Sequence, residues 1–224
     1  MRSATVRGTD LFGEPERTAT LSQFFTPAWL ARRIVERWVP SGVLVLEPNA
    51  GRGNFVEPLL ARGPVLACEI DPLLCRFLRD RFRRQLDEPD GGFDLLEVDF
   101  LTVRPDVYGT TAVPYLAVMN PPYEDGQDVS HIAHALEHTG RVIAVVKSDF
   151  EFGAERDRAF WRHACVARRA ILVDRPDFGA TAETSSGPSR NYVVLEIARV
   201  RNAHVGSTTL YYVNEERWRR PNAA

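Results

Sequence analysis

The protein has 224 residues, of which 44% are hydrophobic, and a formal net charge of -2. A chain of this length and apolar content can bury one sizeable core, so we expect a single domain. The small negative charge excludes a general attraction to polyanions, and any contact with nucleic acid must depend on a local basic patch. No apolar run approaches the roughly 20 residues of a membrane-spanning helix, so we expect no membrane partner.

The cysteines indicate a reducing compartment. Cys68, Cys75 and Cys165 lie in or beside apolar segments and form no CxxC pair. Such a pattern predicts buried thiols of a cytoplasmic protein rather than disulfides or zinc ligands. Three of the five histidines share one side of a predicted helix in "HIAHALEH". No cysteine or carboxylate pattern accompanies them, so we predict no metal site.

Short apolar runs alternate with amphipathic stretches along most of the chain. "TPAWLARRIVERWV" predicts a first helix with Thr26 as its N-cap and Pro27 at the first helical position. The runs predict buried strands over 43–46, 65–70, 93–98, 115–119, 142–146 and 170–173, and the stretches predict helices over 54–61, 73–86, 128–138 and 155–165. This alternation is typical of a doubly wound α/β domain with a mostly parallel sheet.

Two further strands, 191–200 and 208–213, have no helix between them and are expected to add antiparallel pairs at one edge of the sheet. We divide the chain into a flexible lead-in over 1–20, one domain over 21–214 and a tail over 215–224. The lead-in lacks the apolar core of a signal peptide, and no repeat or clean linker interrupts the domain.

The loop after the first predicted strand, "LEPNAGRGNF", carries two glycines. Gly51 and Gly53 let the backbone approach a ligand closely, and the helix that follows offers its amino end to an anionic group. Val56 stands where a dinucleotide-binding loop would have its third glycine, and the GxxxxGK[ST] phosphate-binding pattern is absent.

Acidic residues stand at the ends of three successive predicted strands. Glu47 precedes the glycines, Glu69 ends the second strand in "CEID", and Asp99 ends the third in "VDF". An acidic side chain after the second strand can accept both hydroxyls of a ribose. Three carboxylates at one sheet edge would repel one another unless a polar ligand uses them. The pattern suits an adenosine ligand without a pyrophosphate; the alternative is helix capping by Asp71 and Asp99.

The fourth predicted strand ends in "NPPY". Asn120 presents its amide above the sheet edge, and Pro121 and Pro122 have a fixed φ and no N–H, which makes a stiff turn. The Asn120 side chain and the Pro121 carbonyl are two acceptors, with the Tyr123 ring beside them. They match a planar group with an amine, whose hydrogens bond the acceptors and whose face stacks on the ring. The alternative is a proline-braced turn with a surface tyrosine.

"NPPY", "LEPNAGRGNF" and "QFFTPAWLARRIVE" resemble the signature blocks of S-adenosylmethionine-dependent amino-methyltransferases, and their order resembles the gamma arrangement of DNA adenine-N6 methyltransferases. The resemblance implies a Rossmann-like class I methyltransferase fold, with a seven-stranded sheet and an antiparallel C-terminal strand. It implies that Asn120, Pro121 and Tyr123 are the catalytic residues at the target base. It implies cofactor contacts from the "FFTP" segment, the glycine loop and the strand ends: Phe25, Thr26, Pro27, Glu47, Ala50, Gly51, Gly53, Glu69, Asp99, Phe100 and Asn120.

The implied activity is direct in-line transfer of a methyl group from S-adenosylmethionine to the exocyclic amine of adenine in DNA, with the base flipped out of a duplex. No segment after Val146 is long enough for a separate target-recognition region. We therefore expect low or short sequence specificity, or a partner subunit, with loops 147–158 and 174–190 as candidate substrate contacts. Two alternatives stay open: methylation of RNA adenine or protein glutamine by the same site, and a non-catalytic module that retains the cofactor fold.

Overall fold

The structure is a computed structural model that describes residues 24–87, 92–108, 113–153, 156–174, 176, 191–199 and 208–212. The predicted lead-in and tail lie outside these residues, as does most of the loop 174–190, so the domain boundaries stay predictions. Within the described part of the chain, no helix combines the length and the apolar character that crossing a bilayer requires.

Helices and strands alternate through most of the described chain. The strands are β1 (Val45–Glu47), β2 (Val65–Glu69), β3 (Phe93–Glu97), β4 (Leu116–Met119), β5 (Arg141–Lys147), β6 (Ala164–Leu172), β7 (Tyr192–Arg199) and β8 (Thr208–Tyr212). The helices are α1 (Ala28–Trp38), α2 (Val56–Leu60), α3 (Pro72–Arg81), α4 (Arg83–Asp87) and α5 (Gln127–Thr139). Short 3-10 turns cover Phe100–Thr102, Pro105–Tyr108 and Glu124–Gly126, and a π-helical turn covers Asp157–Trp161.

The strands form one sheet in the order β3-β2-β1-β4-β5-β7-β6-β8. The pairs among β1 to β5 are parallel, and β7 runs antiparallel to both β5 and β6. This confirms the predicted doubly wound, mostly parallel sheet with an antiparallel C-terminal strand. An eighth strand, β8, extends the sheet by parallel pairing with β6.

The two C-terminal strands differ in position from the prediction. β7 lies between β5 and β6 rather than at an edge, and β8 pairs with β6 in a parallel rather than antiparallel manner. Seven of the eight residues of β7 are buried. A strand with both faces buried is stabilised inside a sheet, where helices cover both sides.

β6 is longer than the predicted strand 170–173 and begins where the end of a helix over 155–165 was expected. The sequence obscures this strand because charged residues interrupt its apolar run. In the structure Arg168 of β6 and Arg141 of β5 both form salt bridges with Glu196 on β7. Since Glu196 is only 2% exposed, these cross-strand ion pairs compensate for the charge inside the sheet.

Two apolar cores lie on the two faces of the sheet. α1 and α2 pack on one face and α5 on the other. α1 begins one residue later than predicted, because Pro27 rather than Thr26 is its N-cap. The Pro27 carbonyl accepts the N–H groups of Leu30 and Ala31, both at 3.0 Å. The Thr26 side chain is buried instead of capping the helix.

We predict that Glu196 contributes to stability and to its dependence on pH. Burial acts to raise the pKa of Glu196, but hydrogen bonds from Arg141 and Arg168 outweigh burial and lower this pKa from 4.5. A carboxyl with a lowered folded-state pKa stabilises the protein above its unfolded pKa, and this stability is lost as the pH falls through the folded pKa. Glu196→Gln should therefore cost about 1.5–3 kcal/mol at neutral pH, the contribution of hydrogen bonds to a charged group.

The same variant should flatten the loss of stability in acid. Chemical unfolding of both proteins across a series of pH values measures this difference. A Glu196→Gln variant with the wild-type stability and the wild-type acid profile would contradict the prediction.

Candidate active site

A cleft with a volume of about 290 Å³ opens at the carboxyl ends of β1 to β4. Parallel strands end at the same edge of a sheet, so residues distant in sequence meet there. The cleft is lined by the "FFTP" segment, the strand ends and the beginning of α5: Phe24, Phe25, Pro48, Asn49, Gly51, Glu69, Ile70, Leu74, Val98, Asp99, Phe100, Leu101, Asn120, Pro121, Pro122, Glu124, Gln127 and His131.

The two glycines of the loop after β1 have different roles. Gly51 has a positive φ of 55° and lines the cleft, and its N–H donates to Glu69 Oε2 at 2.7 Å. Gly53 has a φ of 78°, and a Cβ atom there would lie 2.6 Å from the Phe82 ring. Gly53 is therefore required for the packing of the loop on α3, while Gly51 brings the backbone to the cleft.

Glu69 is the most constrained acidic residue of the cleft. Its Oε1 accepts the N–H of Asp71 at 2.8 Å, and its Oε2 accepts that of Gly51. Burial raises the pKa of Glu69, and these backbone hydrogen bonds oppose the increase. Because each carboxylate oxygen can accept two hydrogen bonds, Glu69 retains capacity for a ligand hydroxyl.

Asp99 has both positions considered from the sequence, as the cap of a helical turn and as a residue at the cleft. Its side chain caps the 3-10 turn Phe100–Thr102 by accepting the Leu101 N–H at 3.0 Å, and it also lines the cleft. Asp71 likewise caps α3 through the Leu73 N–H at 2.9 Å. Phe100 borders the cleft, but it is only 2% exposed because its ring packs in the core against the α5 histidines.

Glu47 and Ala50 do not line the main cleft. Ala50 lies in a small adjoining pocket together with Phe25 and Thr26. Glu47 is 1% exposed, and its Oε1 accepts the Asn49 N–H at 3.3 Å. Its Oε2 has no hydrogen-bond partner among the described residues. Burial raises the pKa of Glu47 well above its usual value, and the Asn49 hydrogen bond opposes this effect.

The "FFTP" segment covers the glycine loop. The Phe25 ring lies 4.4 Å beneath the guanidinium of Arg52. The Thr26 carbonyl accepts a hydrogen bond from Asn54 Nδ2 at 2.7 Å. Thr26 is buried, and its Oγ1 lacks a hydrogen-bond partner in the described part of the chain. Pro27, the last residue of the motif, is the N-cap of α1 and lines neither the cleft nor the adjoining pocket.

The amide of Asn120 is held in one orientation. Its Nδ2 donates to the Phe24 carbonyl at 2.7 Å, and its Oδ1 accepts a hydrogen bond from the Tyr123 hydroxyl. Pro121 and Pro122 line the cleft beside it. An acceptor oxygen is thus fixed at the end of β4, and in this structure the Tyr123 hydroxyl occupies it.

Tyr123 differs from the exposed ring that we expected. It is 5% exposed and does not line the cleft. The ring packs in the core, with its centroid 5.6 Å from that of Phe24 and 5.5 Å from that of Tyr192. Burial raises the pKa of the Tyr123 hydroxyl well above its usual value. In this conformation Tyr123 contacts Asn120 through its hydroxyl and does not offer a free face for stacking.

Lys147 supports the same turn and was not singled out from the sequence. Its Nζ donates to the Tyr123 carbonyl at 3.2 Å and lies 5.3 Å from the centroid of the Tyr123 ring. Lys147 is the only lysine among 28 basic residues. An arginine-rich chain that retains one lysine at the end of a predicted strand offered a signal for this contact.

The apolar walls of the cleft were not predicted from the sequence. Ile70 is 52% exposed and Leu101 is 39% exposed, and both line the cleft beside Leu74. Exposed apolar side chains at a cleft suit the faces of a flat ring. Within the described residues, no group of three or more histidine, cysteine or carboxylate side chains is placed to hold a metal ion.

Comparison with known proteins shows the class of this fold. No family model matches the chain. Two proteins called ribosomal RNA small subunit methyltransferase A are similar: that of Acaryochloris marina is 33% identical over 106 residues, and that of a Synechococcus species is 44% identical over 80 residues. These matches cover 44% and 35% of this chain but only 38% and 25% of the two relatives.

Solved structures extend the similarity to most of the chain. A type I restriction-modification methyltransferase subunit from Streptococcus thermophilus is similar with a TM-score of 0.59 at 14% identity, over 81% of this chain and 46% of that one. The 23S rRNA methyltransferase ErmE gives a TM-score of 0.55 at 20% identity, over 79% and 69%. The glycopeptide N-methyltransferase MtfA, solved with S-adenosylmethionine, gives 0.54 at 16%, over 82% and 99%.

The chain therefore has the Rossmann-like fold of S-adenosylmethionine-dependent methyltransferases. S-adenosylmethionine is the cofactor that these comparisons support. The similar proteins include methyltransferases named for RNA and for restriction-modification systems.

We predict that Glu47 lowers stability at neutral and alkaline pH. Its pKa is raised by burial, so the stability associated with the neutral carboxyl is lost as the pH rises above the unfolded pKa. Glu47→Gln should raise the melting temperature, and the gain should be larger near pH 8 than near pH 5. Calorimetry at the two pH values measures this gain. A gain that is equal at both values would show that ionisation of Glu47 does not limit stability.

Proposed function

We propose that this protein transfers a methyl group from S-adenosylmethionine to the exocyclic amine of adenine in a nucleic acid, with DNA as the first substrate to test. The observation that carries this proposal is the Asn120 amide, which Phe24 and Tyr123 hold in one orientation at the cleft. A fixed acceptor at a stiff turn suits an amine that must be aligned with a methyl donor.

The glycine-loop side of the cleft fits the amino-acid part of the cofactor. Gly51 allows close approach of the backbone. The buried Thr26 Oγ1 and Asn49 Oδ1 lack hydrogen-bond partners among the described residues. Buried polar atoms normally have such partners, and both residues line the small pocket that adjoins the cleft.

The other side of the cleft fits adenosine. Glu69 has capacity for the ribose hydroxyls, Asp99 stands at the next strand end, and Ile70 and Leu101 present exposed apolar surface to a flat base. The bound cofactor supplies an activated sulfonium methyl carbon, which needs no nucleophilic side chain. The residues of the chain then act by binding and alignment.

Asn120 and Pro121 orient the target amine. The amine of adenine is a poor nucleophile because its lone pair is delocalised into the ring. Hydrogen bonds from its two hydrogens to Asn120 Oδ1 and the Pro121 carbonyl favour a pyramidal nitrogen whose lone pair is available. A base in a duplex must first be flipped out of the stack, at a cost of a few kcal/mol.

The Tyr123 hydroxyl has an alternative acceptor when the amine binds. It has one hydrogen, which it donates to Asn120 Oδ1, and the carbonyl of Val145 lies 3.1 Å from the same oxygen. Rotation toward Val145 would release Asn120 Oδ1 to the amine without leaving a buried hydroxyl unpaired. This matters because an unsatisfied buried donor costs about 1–3 kcal/mol.

RNA adenine is the second candidate substrate. The specific observation in its favour is the 33% and 44% identity to two methyltransferases named for ribosomal RNA. The methyltransferase subunit of a restriction-modification system among the similar structures and the "FFTP" block favour DNA. Both substrates present the same exocyclic amine, so the proposed chemistry is shared.

A labelled-cofactor assay tests the activity and the role of Asn120 together. We expect the purified chain to transfer tritiated methyl groups to adenine in DNA or RNA oligonucleotides, and not to oligonucleotides without adenine or to protein. Asn120→Ala should lower kcat about 10²-fold, as loss of one transition-state hydrogen bond does, with cofactor affinity nearly unchanged.

Asn120→Asp is the matched variant. It keeps an acceptor oxygen but replaces the donor to the Phe24 carbonyl with an oxygen that repels it, so it should also be impaired. Folded Asn120→Ala protein with wild-type turnover would contradict the mechanism. Transfer to protein alone would contradict the nucleic-acid substrate.

Two variants separate the ring of Tyr123 from its hydroxyl. Tyr123→Ala removes a buried ring and should lower the free energy of unfolding by about 3–5 kcal/mol. Tyr123→Phe keeps the ring and should remain folded, with kcat/KM reduced about two- to tenfold because Asn120 of the free protein loses one orienting hydrogen bond. Unfolding and turnover measurements on both variants check this. Wild-type stability of Tyr123→Ala would show that the ring is exposed to substrate rather than buried.

A further inference from the structure

His131 of α5 lies inside the candidate cofactor cleft, although no motif marks it. It is 7% exposed and lines the cleft. It contacts the loop after β1 through Asn49, and its ring centroid lies 6.0 Å from that of Phe100, which follows β3. His131 therefore lies between the end of β1 and the end of β3, the two strands that pair with β2.

Asn49 determines which nitrogen of His131 carries the hydrogen. Asn49 Nδ2 lies 3.1 Å from His131 Nδ1. Since an amide nitrogen only donates, Nδ1 accepts this hydrogen bond and Nε2 carries the hydrogen of the neutral ring. Nε2 has no hydrogen-bond partner among the described residues. It is not among the buried, inaccessible polar atoms, so a ligand in the cleft can contact it. A donor held in a fixed tautomer is thus available in the cleft.

The ring is neutral under ordinary conditions. Burial lowers the pKa of His131 to about 4, and the charge of Asp99 only partly opposes this change. A neutral donor does not repel a positively charged sulfonium, whereas an imidazolium would. It suits an uncharged acceptor such as a ring nitrogen or a ribose oxygen.

We propose that His131 is a further binding residue of the cleft, whose Nε2–H donates to the adenosine part of the cofactor. This inference rests on the proposed function, because it requires S-adenosylmethionine or its product in the cleft. His131 also hydrogen-bonds Asn49 in the loop after β1. The adenosine part is favoured because the His131 ring packs on Phe100 and lies near Asp99 at the end of β3, the side with the exposed apolar walls for a flat base.

His138 provides a matched control on the same helix. It is 4% exposed, and its ring also packs against Phe100, with the centroids 5.2 Å apart. Unlike His131, it does not line the cleft. Replacing either histidine by phenylalanine therefore changes similar packing, but only the change at position 131 removes a donor from the cleft.

Calorimetric binding of S-adenosylhomocysteine to the wild type, His131→Phe and His138→Phe tests the inference. We expect His131→Phe to bind about two- to tenfold more weakly, the effect of one neutral hydrogen bond. His138→Phe should bind with nearly the wild-type affinity. His131→Gln, which retains an N–H donor, should recover part of the affinity. His131→Leu, which also removes the donor, replaces His131→Phe if that variant does not fold.

A second ligand, 5′-methylthioadenosine, locates the contact. It lacks the amino-acid part, so the same fold-loss for both ligands supports the adenosine assignment. A loss confined to S-adenosylhomocysteine would overturn that assignment. Unchanged binding by a folded variant without the donor, His131→Phe or His131→Leu, would overturn the inference while leaving the proposed function intact. A wild type that binds neither ligand would overturn the proposed function itself.

Discussion

The parallel pairing of β3, β2, β1 and β4 is the constraint on which the candidate site depends. The register sets Glu47 beside Ala67 and Glu69 beside Glu97, so successive strands end at nearly the same level. Every loop that leaves a strand end therefore enters the same cleft. The hydrogen bond from the Gly51 N–H to Glu69 then joins the loop after β1 to the end of β2 at the wall of the cleft.

The cleft and the core beside it retain polar groups that a purely structural core would not favour. The carboxyls of Glu47 and Glu69 have raised pKa values because they are buried, and the Thr26 hydroxyl oxygen has no hydrogen-bond partner among the described residues. Burial of such groups without full compensation lowers stability. Local costs of this kind concentrate at functional sites. They support a ligand that supplies the missing hydrogen bonds, which is the role proposed for the cofactor.

The proposed substrate side of the site, at the turn that carries Asn120, is supported from the second half of the sheet. The Tyr123 ring packs on Tyr192 of β7, and its hydroxyl lies near the carbonyl of Val145 on β5. Lys147, at the end of β5, holds the Tyr123 carbonyl. Because β7 lies inside the sheet rather than at its edge, the turn that carries Asn120 packs against a strand with seven of its eight residues buried. The orientation of one amide thus depends on packing across three strands.

The sequence by itself determined the α/β class, the succession of the first five strands along the chain and the loops that carry Gly51, Glu69, Asp99 and Asn120. These features follow from local signals: continuous apolar runs, glycines, prolines and acidic residues at strand ends. Only the tertiary structure decided the position of β7, the burial of Tyr123 and the entry of His131 into the cleft. These depend on contacts between residues distant in sequence, where cross-strand pairing and packing override the local pattern.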